Sequence, residues 1–410
     1  MGLWREIKGY PLRAFLICLV GASLANMDQA LFGFVLTPMA EEFGWSVVER
    51  GWYLALTFSL AGISIVGLGI LADKIGRKTI FSGSILVSSL LVTSLRWAPN
   101  TLSLIVLRTL GFASGGIQSP ITGTIVVEES PPRYRGLLSG VLQIGYPIGW
   151  FLASILSAPI IVRFGWRSIF LVGLISIPYL FIVRRFLRET QSFLKQSEED
   201  SRQTDSAKKP RFAELFSPEY RLKTIVLFIG EFLHVFAYGA TILLTAYFTE
   251  FRGWELTDAI LLVGKTFLIG SLGYILAAVV GEFYITRRNV IILWSWLGTI
   301  FFALLIWWAD GWWEVFASYS LMTIFFYGTT AVKFTFIAES FPARLRATGV
   351  TFAGSLAVNL GIAFGPLALS YCVEYLSWNW AYTICGIVPI FLSGFVFLLL
   401  KPIPGGAEIE

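Results

Sequence analysis

The sequence predicts an all-α membrane protein, with twelve transmembrane helices in two pseudo-symmetric six-helix bundles. Three observations carry that fold class. The 410 residues are 56% hydrophobic and only 14% charged, with a mean hydropathy of +0.73, a balance that ordinary soluble domains do not have. Twelve apolar runs follow one another along the chain, and a helix needs roughly 20 such residues to cross a bilayer. The two halves also repeat. Arg77-Lys78 returns as Arg287-Arg288, and Glu129-Ser130-Pro131-Pro132 as Glu339-Ser340-Phe341-Pro342, each 210 residues later. Weaker echoes link Phe43-Gly44-Trp45 with Arg252-Gly253-Trp254, and Gly165-Trp166-Arg167 with Ser377-Trp378-Asn379.

Each apolar run is read as a helix because lipid offers the backbone no hydrogen-bond partners. Residues 1–183 make the first bundle. After a basic, aromatic lead-in, span one covers 13–39 and carries Asn26 and Asp28 in its middle. An acidic loop, Glu41-Glu42-Phe43-Gly44-Trp45, leads to span two at 51–72. Gly76 permits a tight turn before span three at 79–97, and span four at 102–127 contains Arg108. The charged turn at 128–136 precedes spans five (137–162) and six (168–183). Residues 184–223 are rich in Lys, Arg, Glu, Ser and Gln and read as a solvated cytoplasmic linker. Residues 224–410 make the second bundle, with spans near 224–248, 258–281, 289–308, 313–337, 347–372 and 380–400, then a short tail.

Lys and Arg set the orientation. The even-numbered turns and the tails hold 13 of them and the linker 10, against 5 in the alternate loops. The positive-inside rule then puts both termini in the cytoplasm of a multi-pass cell-membrane protein. With the cations in turns, the net charge of +5 is no sign of nucleic-acid binding. Cys18, Cys372 and Cys385 lie in apolar runs without framework spacing, which argues against a disulfide scaffold. One histidine, with no H-E-x-x-H or C-x-x-C, makes a metal site unexpected. Gly264-Lys265-Thr266 mimics the end of a P-loop, but Ala259 stands where the first glycine belongs. No cofactor and no enzyme chemistry are expected. Residue 6 is glutamate where a myristoylation signal wants Ser or Thr, and the first apolar run is too long for a cleaved signal peptide.

The stretch Gly69-Ile70-Leu71-Ala72-Asp73-Lys74-Ile75-Gly76-Arg77-Lys78 resembles the loop between helices two and three of major facilitator superfamily transporters. Taken alone it also reads as a topogenic charge cluster. The resemblance implies two bundles rocking about a midplane site, as the internal repeat would suit. It also implies an inner gate made by Asp73, Arg77, Glu129, Arg135, Glu339 and Arg346. Asp28 in span one and Arg108 in span four look like the coupling pair of proton-linked sugar porters. The turn Glu129-x-x-Pro132-x-x-Arg135-Gly136 is similar to theirs, as is Glu339-Ser340-Phe341-Pro342-x-x-x-Arg346. Gln143 matches a sugar-contacting glutamine of that family, whereas Asn26-Met27-Asp28 with Leu36-Thr37 resembles sialate and lactate proton symporters. The family's Arg-x-x-x-Gly stands here as Arg108-x-x-Gly111.

Ionisable groups inside a span are costly and are functional candidates by default. Asp28 and Arg108 lie in the outer halves of their spans, within about 7 Å in depth at about 1.5 Å rise per residue. They read either as a proton-coupling pair or as a static ion pair. Lys265 reads equally as a cation for a substrate carboxylate or as a snorkelling lysine. Glu231 and His234, three apart on one helix face, form either a second titratable site or a packing pair. Lys333 is expected near the cytoplasmic end of span ten, in reach of Glu339 or water. Gln118, Gln143, Tyr146, Trp150, Tyr238, Tyr327 and Asn359 are candidates for a cavity lining. The expected activity is proton-coupled symport of a small polar solute by a monomer, with an organic acid favoured over a sugar. A multidrug exporter and a non-transporting receptor are the remaining classes.

Overall fold

The computed structural model describes residues 7–131, 134–190 and 212–403. Ten helices among them are long and apolar enough to cross a membrane. They are α1 (Tyr10–Phe34), α3 (Arg77–Trp97), α5 (Arg135–Phe164), α6 (Trp166–Phe186), α7 (Arg221–Phe251), α8 (Leu256–Phe283), α9 (Arg287–Trp307), α10 (Trp312–Glu339), α11 (Val350–Tyr375) and α12 (Trp378–Leu398). The 29-residue helix α2 (Val47–Ile75) and α4, built from Thr101–Gly116 and Gln118–Glu129 about Ile117, complete the expected twelve. No strand occurs among the described residues.

The described chain divides into two compact units. The first is Met1–Met39 with Leu60–Ala207, and the second is Ala40–Ser59 with Lys208–Glu410. The sequence places 40–59 with the first bundle, but its partners lie in the second unit. Arg50 pairs with Glu250, Trp52 donates to the Tyr371 hydroxyl at 3.0 Å, and Gly51 packs against Ser370.

In each unit one crossing brings two backbones together at glycines spaced as small-x-x-x-small. On α5, a methyl added at Gly149 would stand 2.7 Å from the Met27 nitrogen of α1. On α11, a methyl added at Gly361 would stand 2.7 Å from the Phe236 nitrogen of α7. The first helix of each half therefore packs on the fifth in the same way. Gly361→Leu is expected to lower stability by about 1–3 kcal/mol or more through overpacking. Thermal unfolding in detergent checks this, and an unchanged midpoint would show that the crossing tolerates a side chain.

Helix ends are secured by polar groups. Asn100 and Ser103 form a reciprocal capping box at the start of α4, with Ser103 N donating to Asn100 Oδ1 at 2.9 Å. The Glu189 carboxylate accepts from the backbone nitrogens of Arg77 at 2.9 Å and Lys78 at 3.1 Å. It thus satisfies the free N–H groups that begin α3 and complements that helix's dipole. This corrects the view of 184–223 as solvated throughout; its residues 191–211 lie outside the described chain. Arg167 donates to the Arg96 and Ala98 carbonyls at 3.1 and 2.9 Å, closing the end of α3.

Candidate functional site

In the first unit, α1 and α4 carry the two buried charges. Asp28 and Arg108 are 5% and 3% exposed, and the guanidinium lies within electrostatic reach of the carboxyl. Arg108 Nη2 donates to the Gln29 carbonyl at 3.2 Å, one residue from Asp28. Its guanidinium also stands over the Phe32 ring, 4.5 Å from the centroid, a placement that favours a cation electrostatically. Asp28 Oδ1 is buried and has no hydrogen-bond partner among the described residues.

The other candidates of this unit are dispersed. Gln118 begins the second segment of α4, is buried, and donates to Ser88 Oγ of α3 at 3.3 Å. Gln143 lies half-buried on α5. Trp150 is buried, with Tyr146 tilted against it at 6.0 Å and Phe34 edge-on at 5.5 Å.

In the second unit the structure joins Glu231 on α7 to Lys333 on α10. Lys333 Nζ is 2.8 Å from Glu231 Oε2, and both side chains are 1% exposed. This corrects the expected placing of Lys333 near Glu339 or water. Glu231 turns to the lysine, while the His234 ring lies against Phe326 of α10 at 4.8 Å. Two turns along α7 from Glu231, Tyr238 meets Tyr327 edge-on at 5.3 Å, and the Tyr327 hydroxyl donates to Thr241 Oγ1 at 2.8 Å. Asn359 spends its amide on its own helix, donating to the Ser355 carbonyl at 2.8 Å. Lys265 is exposed, with its ammonium 5.8 Å from the centroid of Trp312.

The expected gate charges lie at or near helix ends. Arg77 Nη2 is 3.4 Å from Glu128 Oε1, and half-buried Glu129 follows at the end of α4. Arg135 Nε donates to the Ser130 carbonyl at 3.3 Å. In the second unit Arg287 Nη1 meets Glu339 Oε1 at 2.5 Å and its other terminal nitrogen meets Glu282. Arg346 lies within electrostatic reach of Glu339. The Asp73 side chain lies outside what the structure describes. Arg287 and Glu282 were absent from the candidates, although Arg287 is the repeat of Arg77 and was legible as such.

Comparison with known proteins agrees with this architecture. The model of the Major Facilitator Superfamily matches residues 18–287 and, in a second match, 227–409. The chain is 26% identical to a niacin transporter of Acinetobacter baylyi over 90% of both chains. It is 28% identical to a cis,cis-muconate transport protein of the same organism over 92% of both. Among solved structures, a bacterial homologue of the human lysosomal transporter Spinster superposes with a TM-score of 0.71 at 15% identity, covering 96% of this chain and 95% of that one. With twelve spans, an internal repeat and a family match running through both halves, the chain is a multi-pass membrane transporter that belongs to the major facilitator superfamily.

Proposed function

We propose that this transporter carries a small organic acid in symport with protons, by alternating access, as a monomer in the cell membrane with both termini in the cytoplasm. The observation that carries the reading is Asp28 and Arg108, buried together on α1 and α4. Such a pair offers a proton acceptor beside a fixed cation, and a bound anion can compete with the carboxylate for that cation. Niacin and cis,cis-muconate, the cargoes named for the two relatives, are both conjugated carboxylates. That chemistry supports an acid over a neutral sugar.

In this reading Asp28 takes the proton and Arg108 faces the substrate carboxylate. Lys265 adds positive charge on α8, and Gln118, Gln143, Tyr146, Trp150, Tyr238 and Asn359 supply polar and aromatic lining. The charges Asp73, Arg77, Glu129, Arg135, Glu339 and Arg346 form the inner gate, where rearranged pairing biases the two access states by a few kcal/mol.

The test is uptake into proteoliposomes of nicotinate, cis,cis-muconate and a neutral hexose, each with and without an inward proton gradient. Gradient-dependent accumulation of the acids alone is expected. Accumulation of the hexose, or acid uptake indifferent to the gradient, would overturn the reading.

A further inference from the structure

We infer that Glu231 and Lys333 are a second coupling pair, in which a substrate carboxylate replaces Glu231 on Lys333 and Glu231 takes up a proton. This rests on the proposed transport of an organic acid and adds to it a site in the second unit.

The first observation is the cost of what is there. A glutamate and a lysine, each 1% exposed, meet at 2.8 Å between two membrane helices. Apolar residues of the same volume would hold α7 to α10 at least as well, because burying both charges sacrifices their hydration. Groups of this kind inside a membrane mark function by default.

The second observation is where the pair stands in the repeat. α7 and α10 are the first and fourth helices of the second half, as α1 and α4 are of the first. Each half thus carries one buried acid on its first helix and one buried cation on its fourth: Asp28 with Arg108, and Glu231 with Lys333. The two sets occupy opposite ends of their bundles. Asp28 lies near the end of α1 and Arg108 near the start of α4, whereas Glu231 lies in the first half of α7 and Lys333 near the end of α10.

The third observation is what borders the pair. α7 and α10 meet there through a seam of rings, His234 on Phe326 and then Tyr238 on Tyr327, surfaces suited to a flat conjugated acid. His234 on α7 is the titratable group within electrostatic reach of Lys333, and farther along the seam Tyr274 of α8 bonds to Thr330. From α12, Ser393 donates to the Gly230 carbonyl at 2.8 Å. The ion pair of Lys333 is with Glu231. For each carboxylate that enters, the exchange keeps the site neutral, and the second carboxylate of cis,cis-muconate needs a charge from elsewhere. At rest the glutamate balances the lysine. On loading, the Glu231–Lys333 contact breaks, the incoming carboxylate forms its own contact with the ammonium, and water delivers a proton to Glu231. Because both side chains are closed off at rest, α7 and α10 must part for this to happen. The single turns of tighter helix at Thr241–Leu243 and Tyr327–Thr329 are the places where each can bend.

The experiment titrates nicotinate and cis,cis-muconate calorimetrically into detergent-solubilised wild-type protein and the Glu231→Gln/Lys333→Met double variant, in two buffers of different ionisation heat. The double variant is expected to bind about 10-fold more weakly or worse, having lost a charge-assisted bond. It should also take up about one proton fewer per ligand bound. Equal affinity and equal proton uptake would overturn the inference alone and leave the pair as packing. Absence of binding of either acid to the wild-type protein would overturn the organic-acid reading, and this inference with it. Should the double variant fail to fold, infrared difference spectra of the wild-type and Glu231→Gln proteins with and without nicotinate decide the matter. A carboxylic-acid band formed on binding to the wild type and missing in Glu231→Gln supports protonation of Glu231, and a band unchanged by the substitution overturns it.

Discussion

Asp28→Asn is expected to remove the share of pH-driven accumulation that the Asp28 proton supplies, while leaving substrate exchange across the membrane intact. Each pH unit is worth about 1.4 kcal/mol per proton, so a carrier coupled to one proton concentrates substrate about 10-fold per unit at equilibrium. The asparagine imitates the protonated acid in size and charge but cannot release a proton, so the gradient loses its hold at this site and accumulation falls by about 10-fold per pH unit. Exchange survives because the neutral side chain lets the loaded carrier cross without a bare charge in the bilayer. Arg108→Ala should impair both activities. It strands Asp28 among apolar groups and removes the guanidinium that sits at the Gln29 carbonyl and over Phe32. Paired uptake and counterflow in liposomes separate these outcomes. Full proton-driven accumulation by Asp28→Asn would return Asp28 and Arg108 to a purely structural role.

Glu231→Ala should be among the most destabilising single substitutions in the chain. It leaves the Lys333 ammonium buried at 1% exposure without its counter-ion, and breaking one side of such a pair typically costs about 3–5 kcal/mol. Loss of the lysine proton limits the damage but still leaves a polar amine in an apolar core. Replacing both partners, as in Glu231→Gln/Lys333→Met, should recover most of the stability because no uncompensated charge remains. Melting temperatures of wild type, single and double variants in one detergent would show this ordering. Equal melting of Glu231→Ala and wild type would mean that Lys333 finds another partner or solvent.

The spans and the repeat were legible because lipid imposes one pattern, an apolar run long enough to cross, with cations gathered in alternate turns. The candidates Asp28 and Arg108 were legible because a lone charge in such a run stands out. Their partners were a different matter. Glu231 and His234 are close in sequence and share a helix face, yet the glutamate meets a lysine about a hundred residues onward on α10. Hydropathy fixes that a helix crosses, not the rotation at which it presents each side chain. The same limit hid Glu189, which looked like one acid among many in a polar linker until its carboxylate was found on the first turn of α3. The short segment 40–59 misled for a related reason, since position along the chain gives no sign of which unit supplies a helix with neighbours.

That segment bears on the order in which the protein is made. Arg50 and Glu250 are 200 residues apart in the chain, and Gly51 and Trp52 find Ser370 and Tyr371 later still. A ribosome delivering the chain into the membrane inserts α2 well before it has synthesised the residues that receive the first turns of that helix. The start of α2 therefore waits, with Arg50 lacking its Glu250 partner, until the second half arrives. A fragment ending in the linker would lack the residues that Arg50, Gly51 and Trp52 meet.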